Sequence, residues 1–153
     1  MWKYSDNNNI SLHDSRATKM KIDDSFITFT FDNGFWILAE NINNSNKKLS
    51  YTDKSEVIFH TVYNGAESNV TVYIFTKTDE ENKAIREEIT PYKLVELINS
   101  GIELEFIYSY KGYQSFLFEC WLWFDKEPYH KECEIIISAD NVTYNWNSMF
   151  VDE

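Results

Sequence analysis

Glutamates and tryptophans recur at alternate positions between Gly101 and Ser138, a spacing that puts them on one face of a β-sheet. Taken as strands, Ile102–Tyr108, Tyr113–Phe124 and Glu132–Ser138 send Glu103, Glu105, Glu119, Trp121, Trp123, Glu132 and Glu134 to one side. The other side collects Ile102, Leu104, Phe106, Tyr108, Phe116, Phe118, Cys120, Leu122, Phe124, Cys133, Ile135 and Ile137, which is a core pattern. Carboxylates beside indoles suit three kinds of chemistry. They can dock a basic protein, with Trp121 and Trp123 as aromatic anchors. They can bind or cleave a sugar, for which paired glutamates (Glu119 with Glu103 or Glu134) and aromatic platforms are the usual equipment. They can hold a hard cation through carboxylate oxygens. The bland alternative is a solvated outer face whose charge is neutralised by lysines such as Lys111 and Lys131.

The hairpin registers decide how these side chains meet. A three-residue loop at Tyr110-Lys111-Gly112 pairs Phe106 with Phe116, Leu104 with Phe118 and Ile102 with Cys120. A two-residue Lys111-Gly112 loop would set Phe118 opposite Glu105 and bury a carboxylate, at a cost of several kcal/mol. A turn over Asp125–Pro128 then sets Cys120 opposite Cys133, Phe118 opposite Ile135 and Phe116 opposite Ile137. Chained together, these registers predict one lateral row of Glu103, Glu119 and Glu134. Like charges directly opposed in a sheet repel, so such a row invites a basic partner.

Other groups point to chemistry less strongly. In His13-Asp14-Ser15-Arg16, neighbouring strand residues face opposite ways, and a hydrolase would need a nucleophile and an oxyanion site besides. The simpler reading is a cap on the first strand, with Asp14 paired to Arg16. Cys120, His130 and Cys133 resemble a zinc set, but both cysteines fall on the core face and His130 in a turn. The paired short spacings of structural zinc are missing. Two free, buried, cross-strand thiols are expected, and no metal or cofactor. His60 reads as a structural histidine within a strand. No phosphate-binding glycine loop, nucleophile elbow or zinc-protease helix motif occurs, and four glycines leave little for a phosphate cradle. No catalytic residue is assigned.

Composition bounds the setting. Residues 1–153 fit a single domain. An apolar fraction of 43% argues for a packed core despite the charge. A net charge of -11 repels nucleic acid and anionic membrane and favours a basic protein partner. The N-terminal residues show no apolar signal-like run, and no stretch is long enough to span a bilayer, so the expected location is cytoplasmic. Asn-x-Ser/Thr triplets at Asn9, Asn43, Asn69 and Asn141 then reflect only a chain rich in asparagine.

The elements that must position the glutamate face follow from local pattern. Thr18–Ile22, Phe26–Phe31 and Phe35–Glu40 read as a meander, turned by Asp32-Asn33-Gly34. Asn41–Lys48 is a polar loop. Glu56–Tyr63 and Asn69–Lys77 read as strands paired across a turn at Gly65, and Asp79–Glu88 as a charged loop or frayed helical turn. Thr90-Pro91 opens a helix over about 91–100, with Leu94, Leu97 and Ile98 as its apolar stripe and Gly101 as its stop. The expected architecture is mainly β or α+β: a bent antiparallel sheet or sandwich of about seven to nine strands with one helix.

The block Ile10-Ser11-Leu12-His13-Asp14-Ser15, followed by the hairpin ending Phe31-Asp32-Asn33-Gly34-Phe35-Trp36, resembles small cytosolic bacterial proteins that open with a Leu-His-Asp-small element. Some of these are assigned as immunity proteins of polymorphic toxin systems. The resemblance covers about the first quarter of the chain and transfers no catalytic residue. It implies an acidic, β-rich protein that neutralises a toxin, often a basic nuclease. The residues themselves point first to an acidic protein-binding module. A carbohydrate-binding or glycoside-cleaving sheet, and a phage-type structural component without a discrete site, stand as alternatives. The oligomeric state is open.

Overall fold

Fourteen strands and one α-helix follow one another along the chain in a computed structural model, which describes residues 3–5, 9–81 and 83–152. The first strands are β1 (Lys3–Ser5), β2 (Ile10–Ser11), β3 (Ser15–Ala17), β4 (Lys19–Ile22), β5 (Phe26–Phe31) and β6 (Trp36–Ile37). Next come β7 (Ser50–Thr52), β8 (Ser55–Thr61), β9 (Val70–Lys77) and β10 (Ala84–Ile89), then the helix α1 (Pro91–Asn99). The chain ends with β11 (Glu103–Gly112), β12 (Ser115–Trp123), β13 (His130–Trp146) and β14 (Met149–Val151). All pairings are antiparallel, in one large sheet and one small one made of β14, β7, β6 and β2. The mainly-β architecture with one helix is therefore as the sequence pattern predicts. No helix of the described residues is long and apolar enough to cross a membrane.

The large sheet follows the path β3-β11-β12-β13-β8-β5-β4. Its two ends, β3 and β4, are separated only by Thr18, whose N–H donates to the Thr30 carbonyl at 2.8 Å. The sheet thus curls until its ends meet through the chain itself, without a continuous ladder across the join. Aromatic rings fill the inside. Phe106 of β11 meets Phe29 and Phe31 of β5 at 5.4 and 5.5 Å, and Phe118 of β12 meets Phe59 of β8 at 5.6 Å. Each tilted or edge-on pair adds about 0.5–1.5 kcal/mol beyond its buried area.

Strand β13 organises the wall. Its first half pairs with β12 on one side and β9 on the other; its second half pairs with β8. Strands β8 and β9 therefore lie end to end along β13 rather than against each other, which corrects the expected hairpin across Gly65. A 3₁₀ turn at Ala66–Asn69 connects them, held by buried Asn69, whose Oδ1 accepts the N–H groups of Val62 and Tyr63. Phe35–Glu40 likewise leaves the first meander, since Trp36–Ile37 pairs in the small sheet. The expected charged loop or helical turn at Asp79–Glu88 carries instead the edge strand β10, apart from residue 82, which lies outside the described residues. An edge strand exposed on both faces tolerates such charge because it buries little.

The helix forms where expected. The Thr90 hydroxyl accepts the Lys93 N–H at 3.1 Å, Pro91 occupies the first turn, and Gly101 takes φ 111° just past the end. Leu94 and Ile98 are buried, and the Asn99 amide clasps both the N–H and the carbonyl of Met20 in β4. The Asn41–Lys48 segment is a loop as expected, built around buried Asn44, whose Nδ2 donates to the Leu38 and Lys48 carbonyls.

Gly34 adopts φ 76°, and a Cβ there would stand 2.1 Å from the Thr52 carbonyl oxygen. Gly34→Ala is expected to cost about 2 kcal/mol or more, read from the midpoint of chemical denaturation; an unchanged midpoint would refute this. Burial pushes the thiol of Cys133 and the hydroxyl of Tyr144 up to about 12. In alkali the unfolded chain releases these protons first, from ordinary values of 9.0 and 10.0. Stability, undiminished at neutral pH, must therefore fall as pH rises through that window. Tyr144→Phe is expected to flatten the loss by up to about 1.4 kcal/mol per pH unit, and an identical slope in the variant would contradict the assignment.

Candidate functional site

The outer face of β3, β11, β12, β13, β9 and β10 brings the sequence-derived residues together, in rows set by the strand registers. One row runs Arg16, Glu105, Trp121, Glu132, Phe75, Arg86. The next runs Tyr108, Glu119, Glu134, Tyr73, Glu88, and a third holds Glu103, Trp123 and His130. Residues directly opposed in an antiparallel pair share a face, so each row lies on one side.

The expected row of Glu103, Glu119 and Glu134 is half right. Glu119 does face Glu134, and Cys120 faces Cys133. Glu103, however, faces Trp123, because the β11–β12 hairpin closes on a tight turn at Tyr113-Gln114 rather than on a loop at Tyr110–Gly112. Gln114 takes the positive φ of 48° that the turn demands. This longer hairpin escapes burying carboxylates through a bulge between Phe106 and Tyr108. Before the bulge Leu104 and Phe106 point inward, opposite Leu122 and Cys120; after it Tyr108 points outward, opposite Glu119. Tyr108, expected in the core, is 56% exposed.

The His13-Asp14-Ser15-Arg16 segment holds this bulge. The His13 Nδ1–H donates to the Ile107 carbonyl at 2.6 Å, and the Asp14 N–H donates to the Phe106 carbonyl at 2.8 Å. Asp14 sits at φ 60°, which brings its carboxylate to 3.3 Å from His13 Nε2. That left-handed turn corrects the expectation that the two side chains diverge. No nucleophile is bonded to the His13 ring among the described residues. Arg16 turns away from Asp14 and instead reaches Glu103 at 3.5 Å and Glu105 at 3.6 Å.

Around Arg16 the face is densely satisfied. Glu105 is only 8% exposed, and the Trp123 indole donates to its Oε1 at 2.8 Å. The Arg16 guanidinium lies 4.6 Å over the Trp123 ring. His130, the first residue of β13 rather than part of a turn, packs its ring 4.7 Å from Trp121 and 5.2 Å from Trp123. At the far side Arg86 stacks 3.6 Å over Tyr73. Arg16 thus neutralises its side of the face, a part that the solvated-face alternative gave to Lys111 and Lys131. Those lysines approach Phe116 and Phe124 instead.

The middle of the face is different. Glu119, Glu132 and Glu134 have no ion pair among the described residues. They border an open cleft of about 490 Å³ walled by Tyr108, Trp121 and Phe75. The cysteines lie on the inner side, buried and free, and burial holds both thiols above their ordinary value. His130 is on the outer side, so the three groups of the zinc reading do not converge. Among the described residues no three metal-ligating side chains gather. His60 bonds the Thr143 hydroxyl at 3.0 Å, a structural role.

Tyr73, Phe75, Arg86, Tyr108, Arg16 and His130 belong to this face although the sequence reading did not place them there. Tyr73 and Phe75 do alternate within Asn69–Lys77, but their face is set by pairing with β13, which local pattern does not reveal.

Comparison with protein-family models, with curated proteins and with solved structures finds no match to this chain.

Arg16→Met is expected to strand the buried Glu105 carboxylate with the Trp123 indole alone and to cost about 1–2 kcal/mol. Glu103→Gln, on the exposed arm of the same arginine, is expected to cost under about 1 kcal/mol. Denaturation midpoints of the two variants test the contrast, and equal losses would contradict it.

Proposed function

We propose that this chain is an acidic protein-binding module whose partner is a basic protein, and that it docks through Glu119, Glu132 and Glu134 with Trp121 and Tyr108. The observation that carries the reading is the uneven neutralisation of one continuous face. Arg16 pairs with Glu103 and Glu105 on one side, while the centre keeps three carboxylates without an ion pair among the described residues, beside the rings of Tyr108 and Trp121. Folding gains nothing from that arrangement, because opposed like charges in a sheet are destabilising. A net charge of -11 adds long-range attraction for a basic partner and speeds encounter. Of the glutamates and tryptophans on this face, Glu103, Glu105 and Trp123 serve as the framework that holds Arg16, and Glu119, Trp121, Glu132 and Glu134 meet the partner.

Toxin neutralisation in a bacterial cytoplasm is the biological setting that suits such a module. Negative charge beside aromatic anchors suits the binding of a basic protein such as a nuclease, and it accords with the likeness of the N-terminal block. The glycosidase alternative is weaker on physical grounds. A general acid must be shielded from water to stay protonated, and Glu119 stands exposed on an open wall.

The test compares the immobilised wild-type chain with Glu119→Lys/Glu132→Lys/Glu134→Lys in source-cell extract at low salt. A basic protein retained by the first and lost by the second is then purified and its Kd measured. Reversal is expected to weaken binding at least about 100-fold and to flatten its salt dependence. Equal affinity for both forms, or an oligosaccharide that competes at the tryptophans, would overturn the proposal.

A further inference from the structure

We infer that the cleft between Tyr108, Trp121 and Phe75 is a seat for a single arginine side chain of the partner, an inference that rests on the docking face proposed above. The molecule itself shows what this face does with arginine. On one side Arg16 lies 4.6 Å over Trp123 while its two nitrogens reach Glu103 and Glu105. On the other Arg86 lies 3.6 Å over Tyr73, the residue that Glu134 faces across the β9–β13 ladder. Both guanidinium groups are laid on an aromatic ring, and that of Arg16 takes a carboxylate on each of two nitrogens.

Between them the same parts recur without the cation. Trp121 stands one row from Glu119 and beside Glu132, and Glu119 faces Glu134 directly across the β12–β13 ladder. Tyr108, turned outward by the bulge at Ile107, closes one wall, and Phe75 closes the other. A cleft of about 490 Å³ lies among them, open to solvent. Its apolar walls suit the methylene stem of a long basic side chain, and its rim supplies the negative charge.

Arginine fits better than lysine for two reasons. Its planar fork can take a carboxylate on each side, matching Glu119 and Glu134 on neighbouring strands. Its flat, weakly hydrated cation also stacks on an indole face at less desolvation cost than an ammonium. A basic protein inserting one arginine here would place a hot-spot side chain at the centre of the interface, with Arg16 and Arg86 on its rim.

The probe is a blocked seven-residue peptide of glycine and serine with one central arginine, beside its citrulline and lysine counterparts. Binding to the full chain is followed at low salt by two-dimensional NMR of the tryptophan indoles. The arginine peptide is expected to shift the Trp121 signal saturably and leave Trp123, already covered by Arg16, nearly still. Citrulline is expected to bind at least tenfold more weakly, lysine several-fold more weakly. Glu119→Gln/Glu134→Gln is expected to lose at least tenfold for arginine, with its folded spectrum otherwise unchanged. Equal binding of arginine and citrulline, shifts confined to residues away from Trp121, or no saturable shift at all would overturn the seat. If the basic protein retained by the wild type is also retained by Trp121→Leu and by Glu119→Gln/Glu134→Gln, the docking face survives and the arginine seat falls. If no basic protein binds in a salt-dependent way, the docking face itself falls.

Discussion

One residue out of step in β11 decides what this protein shows to solvent. The bulge between Phe106 and Tyr108 lets the strand bury Leu104 and Phe106 and then expose Tyr108 and Tyr110. Without it, a hairpin closed at Tyr113-Gln114 would force either the phenylalanines outward or the glutamates inward, and the second carries a desolvation cost of several kcal/mol. Two consecutive carbonyls at the bulge, of Phe106 and Ile107, are taken up by the Asp14 N–H and the His13 ring. The segment that looked most like hydrolase chemistry is therefore the clamp on a strand irregularity. Arg16, two residues further on, extends from the same clamp to hold Glu103 and Glu105.

The rest of the wall makes that face rigid. Phe106 is wedged against Phe29, Phe31 and Phe118, so the inner side of β11 is fixed by three rings from β5 and β12. A sheet that curls back on its own chain through Thr18 has few ways to flatten, and β13 ties the two halves of the wall together over seventeen residues. Binding surfaces built on such a frame lose little entropy on association. The carboxylates at the centre are held apart from their neutralised neighbours by backbone register, not by side-chain choice.

Much of this was legible in the residues, and the exceptions share one cause. The helix was readable because its signals are local: Thr90-Pro91 at the start, Gly101 at the end, an apolar stripe between. The β12–β13 hairpin was readable because alternation runs unbroken on both strands, so one register buries every apolar residue. The β11–β12 hairpin was not, since a bulge breaks the alternation that the reading relied on, and Tyr108 passes as a core residue by parity. Strands β8 and β9 were recognised, but their true partner is β13, about sixty residues or more away in the chain; no local pattern encodes that choice. Six of the seven glutamates and tryptophans assigned to the outer face remain at least partly open to solvent. Glu105 was placed on the correct face but is buried by Trp123 and Arg16, neighbours that only tertiary structure supplies.

The most direct check is the cross-strand register of β11 and β12, read from nuclear Overhauser contacts in the folded chain. The bulged arrangement requires contacts between Glu105 and Trp121 and between Tyr108 and Glu119. Contacts pairing Phe106 with Phe116 and Leu104 with Phe118 would mean a regular ladder with Tyr108 turned inward, and the face described here would not exist.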